Sequence, residues 1–188
     1  DRLDRALVRW HRHREDRFAV MFIDLNRFKV VNDSLGHSAG DELLRQIGKI
    51  IAECVREEDT VARLGGDEYA ILLERIESKA DPLLVAQRIH TCLQQPLEIG
   101  GQALYMSCSI GIALPENDAD KAEDLLRNAD IAMYKSKAAG PATHTIYIPG
   151  MHSLARSLME LDMDLHQAVR EREFVLHYQP IYAVESGA

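Results

Sequence analysis

Apolar residues in this chain change period several times, and each change marks an element. Residues 19–24, AVMFID, form an unbroken apolar run closing on a carboxylate, which predicts a buried strand. The polar stretch NRFKVVNDSLGH follows, a short helix ending near Gly36. Over residues 39–57, Leu43, Leu44, Ile47, Ile50, Ile51, Cys54 and Val55 recur at helical spacing. Ser38 is placed to cap that helix, with Asp41 three residues on. TVARL and YAILL, separated by Gly65-Gly66-Asp67-Glu68, predict a β-hairpin with a four-residue turn. A second amphipathic helix opens at Asp81-Pro82, points Leu84, Val85, Ile89, Cys92 and Leu93 inward, and stops at Pro96. LEI and ALYMSCSIGIAL predict another hairpin around Gly100-Gly101. A long helix over residues 121–139 ends at Gly140-Pro141, and HTIYI closes the unit as a strand. The order β-α-α-β-β-α-β-β-α-β contains a split βαββαβ pattern. That predicts an α+β fold whose antiparallel-containing sheet carries helices on one face.

Past Pro149-Gly150 the register changes. Residues 152–170 read as one more amphipathic helix, and EFVLHYQPIYAV as an alternating strand. A lone helix and strand make no domain. The expected division is therefore a core domain over residues 1–148, a linker over 149–155, and the front of a second domain over 156–188.

Composition narrows the partners. The 188 residues carry 30 acidic and 22 basic side chains, a net charge of −8, which argues against a non-specific nucleic-acid coat. Cys54, Cys92 and Cys108 are odd in number and sit among apolar residues, as reduced thiols of a cytoplasmic protein would. The longest apolar runs are too short to span a bilayer, and no signal peptide opens the chain.

The carboxylates carry the chemistry. Asp24 ends the first strand, and Asp67-Glu68 sit at the hairpin tip, so three carboxylates converge if the strands are neighbours. Two such charges at ~4 Å repel by about 4 kcal/mol at an effective dielectric of ~20. Such a cluster wants a hard cation, Mg²⁺ or Mn²⁺, whose remaining positions go to water and substrate phosphates. Lys29 is a point charge suited to phosphate oxygens, and Gly65 and Gly66 let backbone approach a ligand. Together these features point to a nucleoside triphosphate. Singly each has a plainer use: Asp41 can cap its helix, and Lys29 can be a solvated charge.

FIDLNRFKVVNDSLGHSAGDELL, then Arg56-Glu57-Glu58-Asp59, then ARLGGDEYAILL, resembles the GGDEF-domain diguanylate cyclases over about residues 3–148. The resemblance implies a palm-like fold related to nucleotide cyclases. It also implies condensation of two GTP into cyclic di-GMP, with loss of two pyrophosphates, by a homodimer. Carried over by position, Asp24, the Leu25 carbonyl, Asp67 and Glu68 would hold the metal, and Asp67 and Glu68 would be catalytic. Asn32 and Asp41 would read the guanine edge, and Lys29 and Lys137 would meet the phosphates. Arg56 and Asp59 match the family's product-inhibition site; on the residues alone they are an i,i+3 ion pair at a helix end. LDMDLHQAVREREFVLHYQPIY resembles the opening of an EAL phosphodiesterase domain, which implies a GGDEF–EAL tandem. The runner-up is a catalytically weak GTP-binding module that regulates the adjacent EAL domain.

Three positions depart from the family's pattern. Tyr69 stands where Phe is usual, and its phenol needs a partner if buried. Asn26 replaces a commoner Asp and leaves one fewer negative charge near the metal. Pro141 replaces a phosphate-binding Arg, a loss of roughly 1.5–3 kcal/mol of charge-assisted hydrogen bonding.

Overall fold

The computed structural model describes residues 2–117, 120–151, 167–171 and 173–175. The chain divides into two compact units, Asp1–His152 and Ser153–Ala188.

In the first unit the strand β1, Ala19–Leu25, is buried along its whole length. It is the centre of a five-stranded sheet with β2 (Thr60–Gly65), β3 (Glu68–Leu73), β6 (Cys108–Ala113) and β7 (Thr143–Ile146), in the order β2-β3-β1-β6-β7. β1 runs antiparallel to both its neighbours, β3 and β6, and β7 is added parallel to β6. The remaining strands, β4 (Leu97–Ile99) and β5 (Gln102–Leu104), form a separate hairpin.

A strand with both faces covered reads as a continuous apolar run, as AVMFID does. Ala19, Met21, Ile23 and Leu25 point into one core, shared with the helices α3 (His37–Glu53) and α4 (Ala80–Leu93). Val20 and Phe22 point into a second core with α1 (Arg2–Arg12) and α5 (Ala122–Ala139). The helices therefore cover both faces of the sheet, not one. α1 escapes sequence reading because charge crowds it: only Ala6, Leu7 and Trp10 of its eleven residues are buried.

The hairpin turn is shorter than the sequence predicts. Gly65 pairs with Glu68, leaving Gly66-Asp67 as a two-residue turn, with an irregularity between Arg63 and Gly65. Gly66 has φ 50°, a left-handed conformation glycine adopts freely, and the Arg63 Nε–H donates to its carbonyl at 2.9 Å. The run ALYMSCSIGIAL is likewise not one strand, because residues 105–107 break it into β5 and β6.

α2, Phe28–Leu35, meets α3 at Gly36, whose φ of 81° turns the chain. α3 thus begins at His37, no side chain caps it, and Ser38 lies inside its first turn. It ends at Glu53, not at residue 57, so Arg56 to Asp59 form the turn beyond it. In the second unit residues 167–171 are helical, running one residue past the predicted 152–170 helix, and residues 173–175, which open the predicted strand, have no regular structure. The rest of that helix and of the predicted strand lies outside the described residues. Among the described residues, no helix is long and apolar enough to cross a membrane.

Candidate active site

The antiparallel register of β1 and β3 sets Asp24 directly opposite Glu68. Just beyond, the Leu25 N–H donates to the Asp67 carbonyl at 3.3 Å, tying the hairpin turn to the end of β1. Asp24 is 7% exposed. Its Oδ1 accepts no aligned hydrogen bond, but the Lys137 ammonium of α5 lies 2.7 Å away as an ion pair. Asp24, Asp67 and Glu68 thus come together as the sequence predicts, with Lys137 above them.

A fourth carboxylate joins them. The pKa of Glu68 is raised, first by burial, then by the charges of Asp130, Asp24 and Asp67, with Lys137 opposing. Asp130 is itself raised, by burial and then by Asp24. Sequence reasoning missed Asp130. The available signal was its spacing: Asp130 and Lys137 are seven residues apart, two turns along one helix face.

Asn26 turns out to be a brace. Its amide Nδ2–H donates to Ser107 Oγ at 3.1 Å, and its Oδ1 accepts from Ser109 Oγ at 3.0 Å. Its backbone N–H donates to the Ser107 carbonyl at 2.9 Å. A neutral amide suits this place because it donates and accepts at once. Tyr69 is also satisfied: buried at 3% exposure, its hydroxyl donates to the Leu44 carbonyl at 2.7 Å.

Asn32 sits at the α2–α3 corner against Gly40, where an added Cβ would lie 1.9 Å from its Oδ1 and 3.2 Å from the Phe28 ring. Gly40 was not singled out from the sequence, yet its missing side chain is what admits the Asn32 amide. The next residue, Asp41, is exposed, and so is Lys29 on α2. Gly65 and Gly66 have nothing within 4 Å of a built Cβ, so their backbone is open to approach.

Beside the carboxylates is a cleft of about 610 Å³, lined by Asn26, Arg27, Tyr105, Ser107, Lys137 and Pro141 among others. Lys29 is not among its lining residues.

A second cleft, about 300 Å³, is lined by Arg56, Asp59, Glu74, Asp81 and Arg88 among others. Arg56 and Asp59 are not an ion pair at a helix end. Asp59 Oδ2 accepts the Arg56 backbone N–H at 2.8 Å and its Oδ1 accepts that of Glu74 at 2.9 Å. Arg88, a further basic group of this cleft, donates through Nε and Nη2 to the Cys54 carbonyl.

Among the described residues no three His, Cys, Asp or Glu side chains form a ready-made metal cage. A hard cation such as Mg²⁺ needs less, because it is held by one or two carboxylates while water and substrate phosphates complete its shell. The buried Asp24 Oδ1 without an aligned donor, opposite a Glu68 crowded by like charges, fits that requirement.

The family profile described as diguanylate cyclase, GGDEF domain, matches residues 1–143. MucR of Pseudomonas aeruginosa, a bifunctional diguanylate cyclase/cyclic di-GMP phosphodiesterase, is 41% identical over 187 residues, covering 100% of this chain. The diguanylate cyclase TpbB of the same organism is 48% identical over 137 residues, or 72% of the chain. The chain spans 27% and 31% of the two relatives' own lengths. A solved structure of the TpbB GGDEF domain superposes with a TM-score of 0.79 at 42% identity, covering 82% of this chain and 90% of that one. The fold is accordingly the mixed α/β palm of the nucleotide cyclases. On its motifs, its sheet and these matches, the chain belongs to the GGDEF, diguanylate cyclase, family.

Proposed function

We propose that this chain condenses two GTP into cyclic di-GMP and two pyrophosphates. The observation that carries the proposal is the meeting of Asp24, Asp67 and Glu68 at one end of β1, with Asp130 and Lys137 beside them. Asp24, the Leu25 carbonyl, Asp67 and Glu68 would hold a divalent metal, Mg²⁺ or Mn²⁺. Bound there, the cation offsets phosphate charge and makes the attacking hydroxyl more acidic. Asn32, seated on Gly40, and Asp41 would orient the guanine by hydrogen bonds to its edge. Lys137 and Lys29 would meet the phosphates, and the open backbone of Gly65 and Gly66 would let the nucleotide lie close to the turn. Each copy of a homodimer would hold one GTP. The 3′ hydroxyl of one would attack the α-phosphorus of the other: its proton leaves to water, a new P–O bond forms, and the bond to pyrophosphate breaks. The second ester forms the same way. Preorganised charge and positioning supply the catalysis, as in other phosphoryl and nucleotidyl transfers.

The Arg56, Asp59 and Arg88 cleft supports product inhibition by cyclic di-GMP, since its arginines suit phosphate oxygens. The match to MucR, a bifunctional cyclase/phosphodiesterase, over 100% of this chain supports a parent with GGDEF and EAL domains, the core ending near residue 148, a linker over 149–155 and EAL sequence from 156. Three free thiols and GTP as substrate favour the cytoplasm. A second reading, a GTP-binding module with weak catalysis that regulates the EAL domain, draws on the donorless Pro141 in the nucleotide cleft.

The test is mass-spectrometric detection of cyclic di-GMP after concentrated protein is incubated with GTP and Mg²⁺, with Asp67→Ala alongside. Product from the parent and none from the variant is the expected result. GTP binding without product would favour the regulatory module.

A further inference from the structure

The cleft beside the carboxylates has two cationic side chains among its lining residues, Lys137 and Arg27. They are not equally free. The Lys137 ammonium is held 2.7 Å from Asp24 Oδ1. The Arg27 guanidinium is exposed and forms no ion pair or hydrogen bond with any described residue; only its backbone carbonyl is engaged, by the Val30 N–H at 3.0 Å. Its backbone is unusual as well. Arg27 has φ 62° and ψ 21°, a left-handed conformation at the junction of β1 and α2. Non-glycine residues rarely adopt it, and where they do the strain often belongs to a functional site. Of the other lining residues, Gly140 and Pro141 contribute no side-chain donor.

Lys137 lines this cleft and pairs with Asp24, so a nucleoside triphosphate seated by the carboxylates would have the cleft open to its β- and γ-phosphates. Its ~610 Å³ volume accommodates that end of the molecule. The planar fork of a guanidinium matches two phosphate oxygens at once, which an ammonium does not. We infer that Arg27 is the residue that grips the terminal phosphates of the bound triphosphate, doing the work that position 141 leaves undone. This assignment rests on the GTP reading above and specifies which residue selects the triphosphate end.

Equilibrium binding by calorimetry, on the full chain with Mg²⁺, tests it without turnover. The probes are a β,γ-imido GTP analogue and GMP; the proteins are the parent, Arg27→Ala, Arg27→Lys, and Arg27→Ala combined with Pro141→Arg. Arg27→Ala is expected to weaken the triphosphate analogue roughly ten- to hundredfold and leave GMP within twofold. Arg27→Lys should recover part of the loss, and the double variant most of it. Circular dichroism checks that each variant is folded. Parent-like binding of the triphosphate by Arg27→Ala, or an equal loss for both probes, overturns the assignment while the GTP reading stands. A parent protein that binds neither probe overturns both.

Discussion

Gly111 is the seat on which α5 rests against β6. A Cβ at this position would lie 1.9 Å from the Ala129 carbonyl oxygen, 2.2 Å from the Met133 nitrogen and 2.8 Å from the Met133 Cα. All three are backbone atoms, so no change of rotamer relieves the overlap. In Gly111→Ala, restoring an ordinary contact of 3.4 Å requires α5 to retreat by about 1.5 Å in a close-packed interior. A gap of even ~0.5–1 Å forfeits a quarter to a half of the dispersion well. Leu125, Ala129, Ala132 and Met133, all 0–5% exposed, would loosen together. Overpacking costs about 1–3 kcal/mol, and overlap with backbone alone puts this case near the top of that range. For a unit of this size the expected fall in Tm is roughly 6–12 °C. The same retreat carries Lys137 away from Asp24, now 2.7 Å apart, so nucleotide affinity should fall as well. The control is Gly48→Ala in the interior of α3, where the nearest atom to the new Cβ is Tyr69 Cε1 at 3.6 Å. With room available, alanine in a helix gains about 0.5–1 kcal/mol. Scanning calorimetry should therefore move the two variants in opposite directions. A Gly111→Ala protein melting within about 2 °C of the parent would refute a direct seat of α5 on β6.

Three further outcomes follow from single contacts. Tyr69→Phe removes the 2.7 Å hydrogen bond to the Leu44 carbonyl and should cost about 0.5–1.5 kcal/mol in denaturant unfolding; an unchanged midpoint would show the phenol adds nothing. Gly40→Ala drives its Cβ into the Asn32 amide, which can rotate away. Guanine nucleotide affinity should then drop roughly tenfold while Tm moves little, and a binding titration beside a melt separates the two effects. His90 is held neutral: burial first, then the neighbouring His144, lower its pKa from 6.5 to about 4, with a backbone hydrogen bond at Thr143 opposing. The unfolded chain therefore takes up this proton first as pH falls. Stability is fully present above pH 6.5 and is lost toward pH 4, by up to roughly 3 kcal/mol. Melting curves from pH 7 to 4.5 should flatten in His90→Gln relative to the parent, and parallel curves would sink the linkage.

What the sequence disclosed depended on whether one element or two produced the signal. β1 was legible because burial on both faces writes an unbroken apolar run, and Asp24 was legible because it ends that run. α1 was not, because a helix packing only Ala6, Leu7 and Trp10 against the sheet leaves a stripe too narrow to stand out among its arginines. The turn length failed for a similar reason. The irregularity between Arg63 and Gly65 is a property of the β2–β3 pairing and leaves no mark on composition. Asp130 and Arg27 are contributed by elements remote from the motif or by a backbone angle, and neither has a residue-type signature. Tyr69 and Asn26 looked like departures only while their partners were unseen; Leu44, Ser107 and Ser109 supply them.

The charge balance of the site changes with that last point. Counting along the sequence, Asn26 for Asp leaves the Asp24 end of β1 one negative charge short. In three dimensions α5 brings Asp130 close enough to raise the pKa of Glu68 more than Asp24 or Asp67 does. The cluster thus keeps four carboxylates, and Lys137 is the ammonium paired with them. Among the charges acting on Glu68, Lys137 alone opposes Asp130, Asp24 and Asp67, and the pKa is raised nonetheless. A divalent cation at the proposed site would offset that excess of negative charge. Asp130 and Lys137 both stand on α5, and α5 reaches the sheet only because residue 111 has no side chain. The electrostatics of the carboxylates and the packing of β6 are therefore one constraint, so a lesion at Gly111 should be read in nucleotide binding as well as in Tm.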